Sequence, residues 1–536
     1  MIRRYPYFGW INTMVMLKIV RSLRMMPFFL IGPMAIAQPG ALDTAFHGNG
    51  ISIQNYGSGE SAVRCMTLQP DGKIVAVSSA FDVDNWRSYV LRFTPAGNLD
   101  TGFGEQGIVT STLDTITFTG VALQSNGRIV VAGTQGQNMQ MGAAQILMRF
   151  MPDGAVDSTF GMNGVVIRNL FPKPCSTTCL VIQPDGKIIT GGRARFGSYY
   201  YHEGLITRYN TDGGLDSTFG SNGCVEVYPG GSGGVVDAIT LQPDGKIVAA
   251  GSHFGTWGRF LVLRLLGNGA LDPSFGTGGI REEGQTDQDA FANSVIVMGD
   301  GDILVGGQFG FPLSRFALVR FDPNGSLDQT WGGSGKVTTA FSGYSSWIRR
   351  LGEDPDGKII AVGNLLDYQP TDVGVAISRY LPTGVLDTQF GTYGKVAMSI
   401  NQQERTAVYS MNIQDDGKVL VCGMAGTSAT GPREALVMRF MRGSYTGIPD
   451  IEQDLSEASW YRNADGSLSV SYSLDRPGSV QLDLYDTQGR SIFTVEDPQH
   501  AAGHRHVVLD KVPKSIGLYV LTLTTRSGER HTLLLE

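Results

Sequence analysis

At 536 residues with a formal net charge of −7 and no Lys/Arg-rich run, the chain has room for a large core and lacks the basic signature of a nucleic-acid binder. After residue 40 no apolar stretch reaches the roughly 18–20 residues needed to cross a bilayer, so the mature chain is expected to have no transmembrane segment. Its 72 glycines suit a fold with many tight turns.

The N-terminus reads as a secretory signal peptide over 1–37. Lys18, Arg21 and Arg24 form the positive region, Met25–Ile36 the short apolar region, and Ala35-Ile36-Ala37 the small-residue cleavage site before Gln38. Residues 1–15 are foreign to that pattern, and Met14 or Met16 is the expected true start.

From residue 42 one phrase recurs seven times. One half is L-Q-P-D-G-K-I-V-A-V at 68–77, repeated around Gly127, Gly186, Gly245, Gly301, Gly357 and Gly417. The other is L-D-T-A-F-H-G-N-G at 42–50, repeated at Asp100, Asp157, Asp216, Asp272, Asp328 and Asp387. Successive hairpin glycines are 55, 59, 59, 56, 56 and 60 residues apart, a period that marks a repeat architecture. Each repeat holds four strand-like runs, such as Ile108–Thr110, Val121–Gln124, Arg128–Val131 and Leu147–Phe150. The Asp-Gly or Asn-Gly pair between the second and third predicts a type I′ hairpin turn. Four short antiparallel strands, seven times over, predict an all-β fold: a seven-bladed β-propeller over 38–442. The chain enters at Leu42-Asp43 and leaves the pattern at Arg439-Phe440, so the first strand is expected to close the ring on the last repeat. An open solenoid, the rival, would expose sheet edges at both ends.

A catalytic group is needed once, so charges present in every repeat read as structural. Arg92, Arg149, Arg208, Arg264, Arg320, Arg379 and Arg439 end the fourth run, and Asp43, Asp100, Asp157, Asp216, Asp272, Asp328 and Asp387 stand in the turns. Ion pairs between the two sets are expected to fix blade geometry, since Arg offers a planar fork; which Asp meets which Arg is not legible. Phe46, Phe103, Phe160, Phe219, Phe275, Trp331 and Phe390 read as core wedges. Cys65, Cys179 and Cys422 fall in slots that other repeats mostly fill with small residues, and Cys224 in a mostly Ile/Val slot, while Cys175 has no such explanation. Neither a disulfide framework nor a metal cluster is expected.

Both halves in order, P-D-G-K-I-V and R-F-x-P-x-G-x-L-D-x-x-F-G, resemble the delta-60 repeat over about 42–440. The resemblance implies a bacterial propeller-like domain on exported or surface proteins, and brings no established catalytic residues.

After Phe440 the pattern stops. A polar linker is expected over 443–460, then a small β-sandwich over 461–536 with strands at Ser467–Ser473, Val480–Tyr485, Val507–Leu509, Leu518–Thr524 and His531–Leu535. The runs V-Q-L-D-L-Y-D-T-Q-G-R-S-I at 480–492 and I-G-L-Y-V-L-T-L at 516–523 resemble the type IX secretion C-terminal sorting domain of Bacteroidetes. No Asn-Pro opens the domain, and His531 replaces a common Lys. The resemblance implies the type IX secretion machinery as a partner, with the tail removed after export. An ordinary adhesive sandwich is the alternative.

Enzyme signals are weak. Gly230–Gly234 fits G-x-S-x-G but lies in a Gly-rich loop, not on a strand-to-helix elbow. His47, His202 and His253 lack ligand spacing, and Asp82-Val83-Asp84-Asn85 lacks the Gly and Glu of a calcium loop. Neither an enzyme nor a cofactor is expected. The informative variation lies in loops between the third and fourth runs: Trp86; Arg193, Arg195, Tyr199, Tyr200, Tyr201 and His202; His253, Trp257 and Arg259; and Phe311. Either these side chains form one recognition patch, since exposed aromatics with Arg suit binding, or they pack over blade ends as a lid. The expected function is an exported cell-surface or secreted module binding a glycan or protein. A scaffold without a specific ligand is the alternative, and after it a polysaccharide-active enzyme, which would need paired acids on the loop face, where such pairs occur only casually, as at Glu282-Glu283.

Overall fold

The computed structural model describes residues 39–443 apart from 57–58, 83–84, 137–142, 171–172, 196–201, 229–232, 286, 311–312, 368–372, 401–405 and 427–432. Beyond these it describes residues 455–535 apart from 463–466, 475–477, 487–490, 501–502, 510–518 and 526–529. Two compact units divide the chain, one ending at Gly443 and one beginning at Ser444.

The first unit is a seven-bladed β-propeller of four-stranded antiparallel sheets. Seven inner strands follow one another around the axis: Ser61–Leu68, Ile116–Leu123, Cys175–Ile182, Gly234–Leu241, Ala290–Val297, Tyr344–Glu353 and Thr406–Ile413. Each packs on the next and the seventh on the first, so the ring is closed. We number the blades 1 to 7 by these strands. In blade 1, Ile74–Asp82, Asn85–Phe93 and Ile108–Thr110 follow outward. The short run after each L-D-x-x-F-G is therefore the outer edge of the blade just completed. Blade 7 takes its outer strand from the other end of the chain: Ile51–Gln54 pairs with Arg433–Phe440, the closure expected from the sequence.

The core lies between blades. Val75, Val77, Val90 and Phe103 of blade 1 pack with Phe118, Val131, Ile146 and Met148 of blade 2, and the same sandwiching recurs between blades 4 and 5. Central blade strands are buried on both faces, which explains runs such as I-V-V-A-G that do not alternate.

The hairpins differ from expectation in their turn. Gly72 N–H donates to Gln69 O at 2.9 Å, Gln69 N–H to Lys73 O at 2.8 Å, and Gly72 has φ 80°. Asp71 is not left-handed. This is a type I turn followed by a left-handed glycine, not type I′. Pro70, with φ fixed near −65°, suits the first corner of a type I turn, whereas type I′ needs positive φ there.

The second unit holds two antiparallel sheets, one of three strands and one of four. Alternate residues Val470 and Tyr472 of one sheet, and Val480, Leu482 and Leu484 of the other, are buried. Its first strand, Leu455–Arg462, occupies part of the expected linker, and Ser491–His500 is a strand the sequence reading missed. Both are polar segments that become strands by pairing, with Leu468–Leu474 and Gly478–Asp486 respectively.

Candidate functional site

The two ends of the propeller differ in what they repeat. At the hairpin end, the seven arginines and turn aspartates form a fastening. Arg Nε lies 2.7–2.9 Å from Asp Oδ2 in the pairs Arg92–Asp100, Arg149–Asp157, Arg208–Asp216, Arg264–Asp272, Arg379–Asp387 and Arg439–Asp43. The partner is eight residues on, except that Arg439 reaches across the closure to Asp43. Each of these six guanidiniums stacks on the aromatic of its turn at 4.4–4.8 Å, as Arg208 does on Phe219. Each also donates to a carbonyl in the next blade's turn, as Arg439 Nη1 does to Pro95 O at 2.7 Å. The aromatic fills the space a side chain would need at the next blade's turn glycine: a Cβ on Gly97 would stand 2.7 Å from Phe46. Burial pushes these carboxyls up, but Arg, the hairpin Lys, hydroxyl and amide donors outweigh it, and all seven turn aspartates end below the ordinary value.

Blade 5 departs from the pattern because Asp302 stands where the other hairpins carry Lys or Arg. Arg320 Nε turns to Asp302 at 2.8 Å, Arg320 Nη2 bonds Asp300, and Asp328 falls back to 3.4 Å. Trp331 Nε1 meanwhile donates to Pro382 O at 3.0 Å.

The opposite end carries the loops between second and third strands, where most of the residues of interest lie. Trp257 is 41 % exposed and Arg259 is also exposed. Trp86 is half-buried, its ring edge-on to Phe81 at 5.6 Å. Arg193, Arg195 and His202 are half-buried at the facing ends of paired strands. Burial, then Arg193 and Arg195, hold the His202 pKa below its ordinary value. His253 Nδ1 lies 2.8 Å from Glu282 Oε1, while Glu283 takes Lys336 Nζ at 2.6 Å, so the two adjacent glutamates part rather than form an acid pair. Phe309 is core, 4.9 Å from Phe260. Tyr199, Tyr200, Tyr201, Phe311 and the G-x-S-x-G serine Ser232 lie outside the described residues, as does the segment 1–37 expected to be a signal peptide.

Between the two ends the sequence reading missed a third feature. Every inner strand carries a β-bulge at the same place, and the bulged residue stands eight positions before the hairpin glycine. In blade order these residues are Arg64, Thr119, Thr178, Asp237, Asn293, Arg349 and Tyr409. All are half-buried on strands that wall the central channel. Thr119 Oγ1, Thr178 Oγ1 and Asn293 Nδ2 donate to the next inner strand at Thr177 O, Val236 O and Ile348 O, at 2.9, 2.6 and 2.8 Å. The other four bulges break this stitching pattern. The available signal was a polar residue in one slot of all seven repeats, which a strand read by strict alternation hides.

The five cysteines are free thiols, and Cys175 packs with Cys224 in a small apolar cluster. Among the described residues no group of three His, Cys, Asp or Glu side chains is placed to hold a metal, and no helix is long and apolar enough to cross a membrane.

The repeats match one family. Residues 69–103, 124–160, 183–219, 242–275, 299–330 and 355–390 fit the domain of unknown function DUF5122, described as a beta-propeller. Each DUF5122 segment runs from a hairpin to the following aromatic turn, so the match falls on the fastening. No curated protein matches the chain. Among solved structures it is similar to PorZ of Porphyromonas gingivalis, a surface component of that organism's type-IX secretion system, at 12 % identity and TM-score 0.34. That match covers 88 % of this chain but 58 % of PorZ. The polysaccharide lyase Uly1 gives 10 % identity, TM-score 0.42 and coverage of 76 % and 98 %. A subtype N11 neuraminidase-like protein of A/flat-faced bat/Peru/033/2010 gives 13 %, 0.36, and 77 % and 99 %.

Proposed function

We propose that this protein is an exported binding module, released or held at the cell surface, which recognises a glycan or protein through the loop end of its propeller. The observation that carries the reading is the exposure of Trp257 and Arg259 at the end where the repeats diverge, while the hairpin end is occupied by a fastening common to the blades. Aromatic and Arg side chains supply contact area and planar hydrogen bonding at low entropic cost. The signal sequence ahead of Gln38 and the likeness of 480–523 to a sorting domain support export through type IX machinery. The reading assigns binding rather than catalysis to the propeller.

Mass spectrometry of the mature protein from surface and medium fractions tests delivery. The expected product starts at Gln38 and ends before about residue 460; a product retaining Glu536 rejects a cleaved tail. A screen of that product against glycans and surface proteins, with Trp257→Ala as control, tests recognition. Loss of binding at unchanged melting temperature supports the patch, and loss of stability without loss of binding makes Trp257 part of a lid.

A further inference from the structure

The bulge ring holds charge that the stitching between inner strands does not require. Where Thr119, Thr178 and Asn293 stitch one inner strand to the next, Arg64, Asp237, Arg349 and Tyr409 do not, and Arg350 fills a slot that holds Cys65, Gly120, Cys179, Ala238, Ser294 and Ser410 elsewhere. Three blades thus close on their neighbours with a neutral bulge side chain, so arginine is not a requirement of the ring.

Arg64, Arg349 and Arg350 come from blades 1 and 6, on either side of blade 7, which contributes Tyr409. The Arg64 guanidinium lies 4.6 Å over the Tyr409 ring, and Arg349 lies 5.8 Å over Trp347. Stacking fixes the plane of a guanidinium while leaving its in-plane N–H groups able to bond. Arg350 Nη1 is anchored on Asn293 O and Arg349 O at 3.1 and 3.0 Å. Arg64 Nε and Arg349 Nε are both buried without a hydrogen-bond partner. The acid facing this group, Asp237, forms no ion pair within 4.0 Å among the described residues, so it offsets the arginine charges only at longer range. Burial, then repulsion from Arg350 and Arg64, draws the Arg349 pKa down, although Tyr409 and Asp237 pull the other way. Burial pushes Asp237 up to about 6 against the pull of Arg193, Arg350 and Arg349. Clustered, partly desolvated like charges are costly unless something neutralises them.

We propose that the central channel is an oxyanion site in which Arg64, Arg349 and Arg350 bind a carboxylate or sulfate group of a small ligand. The stacked guanidiniums offer the planar donor forks that such groups match. The site is separate from the loop-end patch and stands or falls without it.

Calorimetric titration of the full mature chain with sulfate, with glucuronate, and with glucose as neutral control tests it. Saturable binding of either anion and none of glucose is expected; tighter binding of glucuronate than sulfate identifies an acidic sugar, and sulfate alone a free inorganic anion. Arg349→Gln and, separately, Arg64→Gln should each weaken binding roughly ten- to a hundred-fold with an unchanged or higher melting temperature in the absence of anion. Asp237→Asn removes the opposing carboxylate and should tighten binding, and Trp257→Ala should leave it unchanged. Absence of anion binding by the unmodified chain, or unaltered affinity in both arginine variants, overturns the proposal.

Discussion

Arg264 shows what a repeated residue does in this fold. Its Nε meets Asp272 at 2.9 Å, its Nη2 donates to Ser274 Oγ at 3.0 Å, and its plane covers Phe275 at 4.8 Å, with Asp272 only 3 % exposed. Arg264→Met keeps the apolar stem but leaves a buried carboxylate without its Arg. Breaking a buried pair this way costs about 3–5 kcal/mol, so a clear fall in melting temperature is expected, and an unchanged one would refute the fastening. The sign of the pH dependence follows from the depressed turn aspartates. With folded pKa values below the unfolded value of about 3.9, their stabilisation is complete above that pH and is lost as pH falls through the folded values. Urea melts between pH 6 and 2 should show stability falling only at the acid end. That Arg and Asp pair was legible, because both recur in every repeat. The partner eight residues on was not, because the intervening type I turn folds Asp272 back beside the strand end, an outcome of turn geometry that spacing alone does not reveal.

At the scale of a blade, the departures from the phrase are the informative positions. Blade 5 gathers Asp300, Asp302 and Asp328 around Arg320, where blade 6 has Lys358 and Arg379 sharing Asp387 at 2.8 and 2.7 Å. Burial first, then Asp300 and Asp328, raise the Asp302 pKa despite Arg320, so its ionised form is disfavoured by folding. That penalty applies above the unfolded pKa and eases as pH falls. Asp302→Lys restores the lysine of the neighbouring hairpins and frees Arg320 for Asp328; a gain of about 1 kcal/mol is expected from the extra favourable pair, read as a higher urea midpoint at pH 7. A lower midpoint would mean that Asp302 has become the proper partner of Arg320. The blade itself was legible in strand number and hairpin position. Two details were not: the hairpins close on a type I corner followed by a left-handed glycine, with Pro70 at the first corner or with Ser125 in its place, and the bulge at Arg64 and its six equivalents put a polar side chain on the channel wall within strands that otherwise read as apolar.

For the whole molecule, closure joins residues nearly 400 apart. Ile51–Gln54 completes blade 7, Asp43 pairs with Arg439 at 2.7 Å, and Phe46, fully buried, sits with Val63 and Leu91 of blade 1 and Leu420 and Val437 of blade 7. Entry in mid-phrase at Leu42 makes this closure legible from the residues alone, since the seventh hairpin has no aromatic turn of its own after Phe440. A chain starting at Tyr56 lacks the outer strand of blade 7, the carboxylate of Arg439 and the Phe46 wedge at once. The ion pair and the wedge together are worth at least about 4 kcal/mol, and the exposed edge of Arg433–Phe440 invites association between copies. The truncated chain should therefore melt lower and aggregate. Adding the peptide 39–55 in trans should raise the melting temperature with peptide concentration, because a strand that binds only the folded ring stabilises it by mass action. A truncated chain that melts like the intact one, or one indifferent to the peptide, would show that the ring holds without its closing strand.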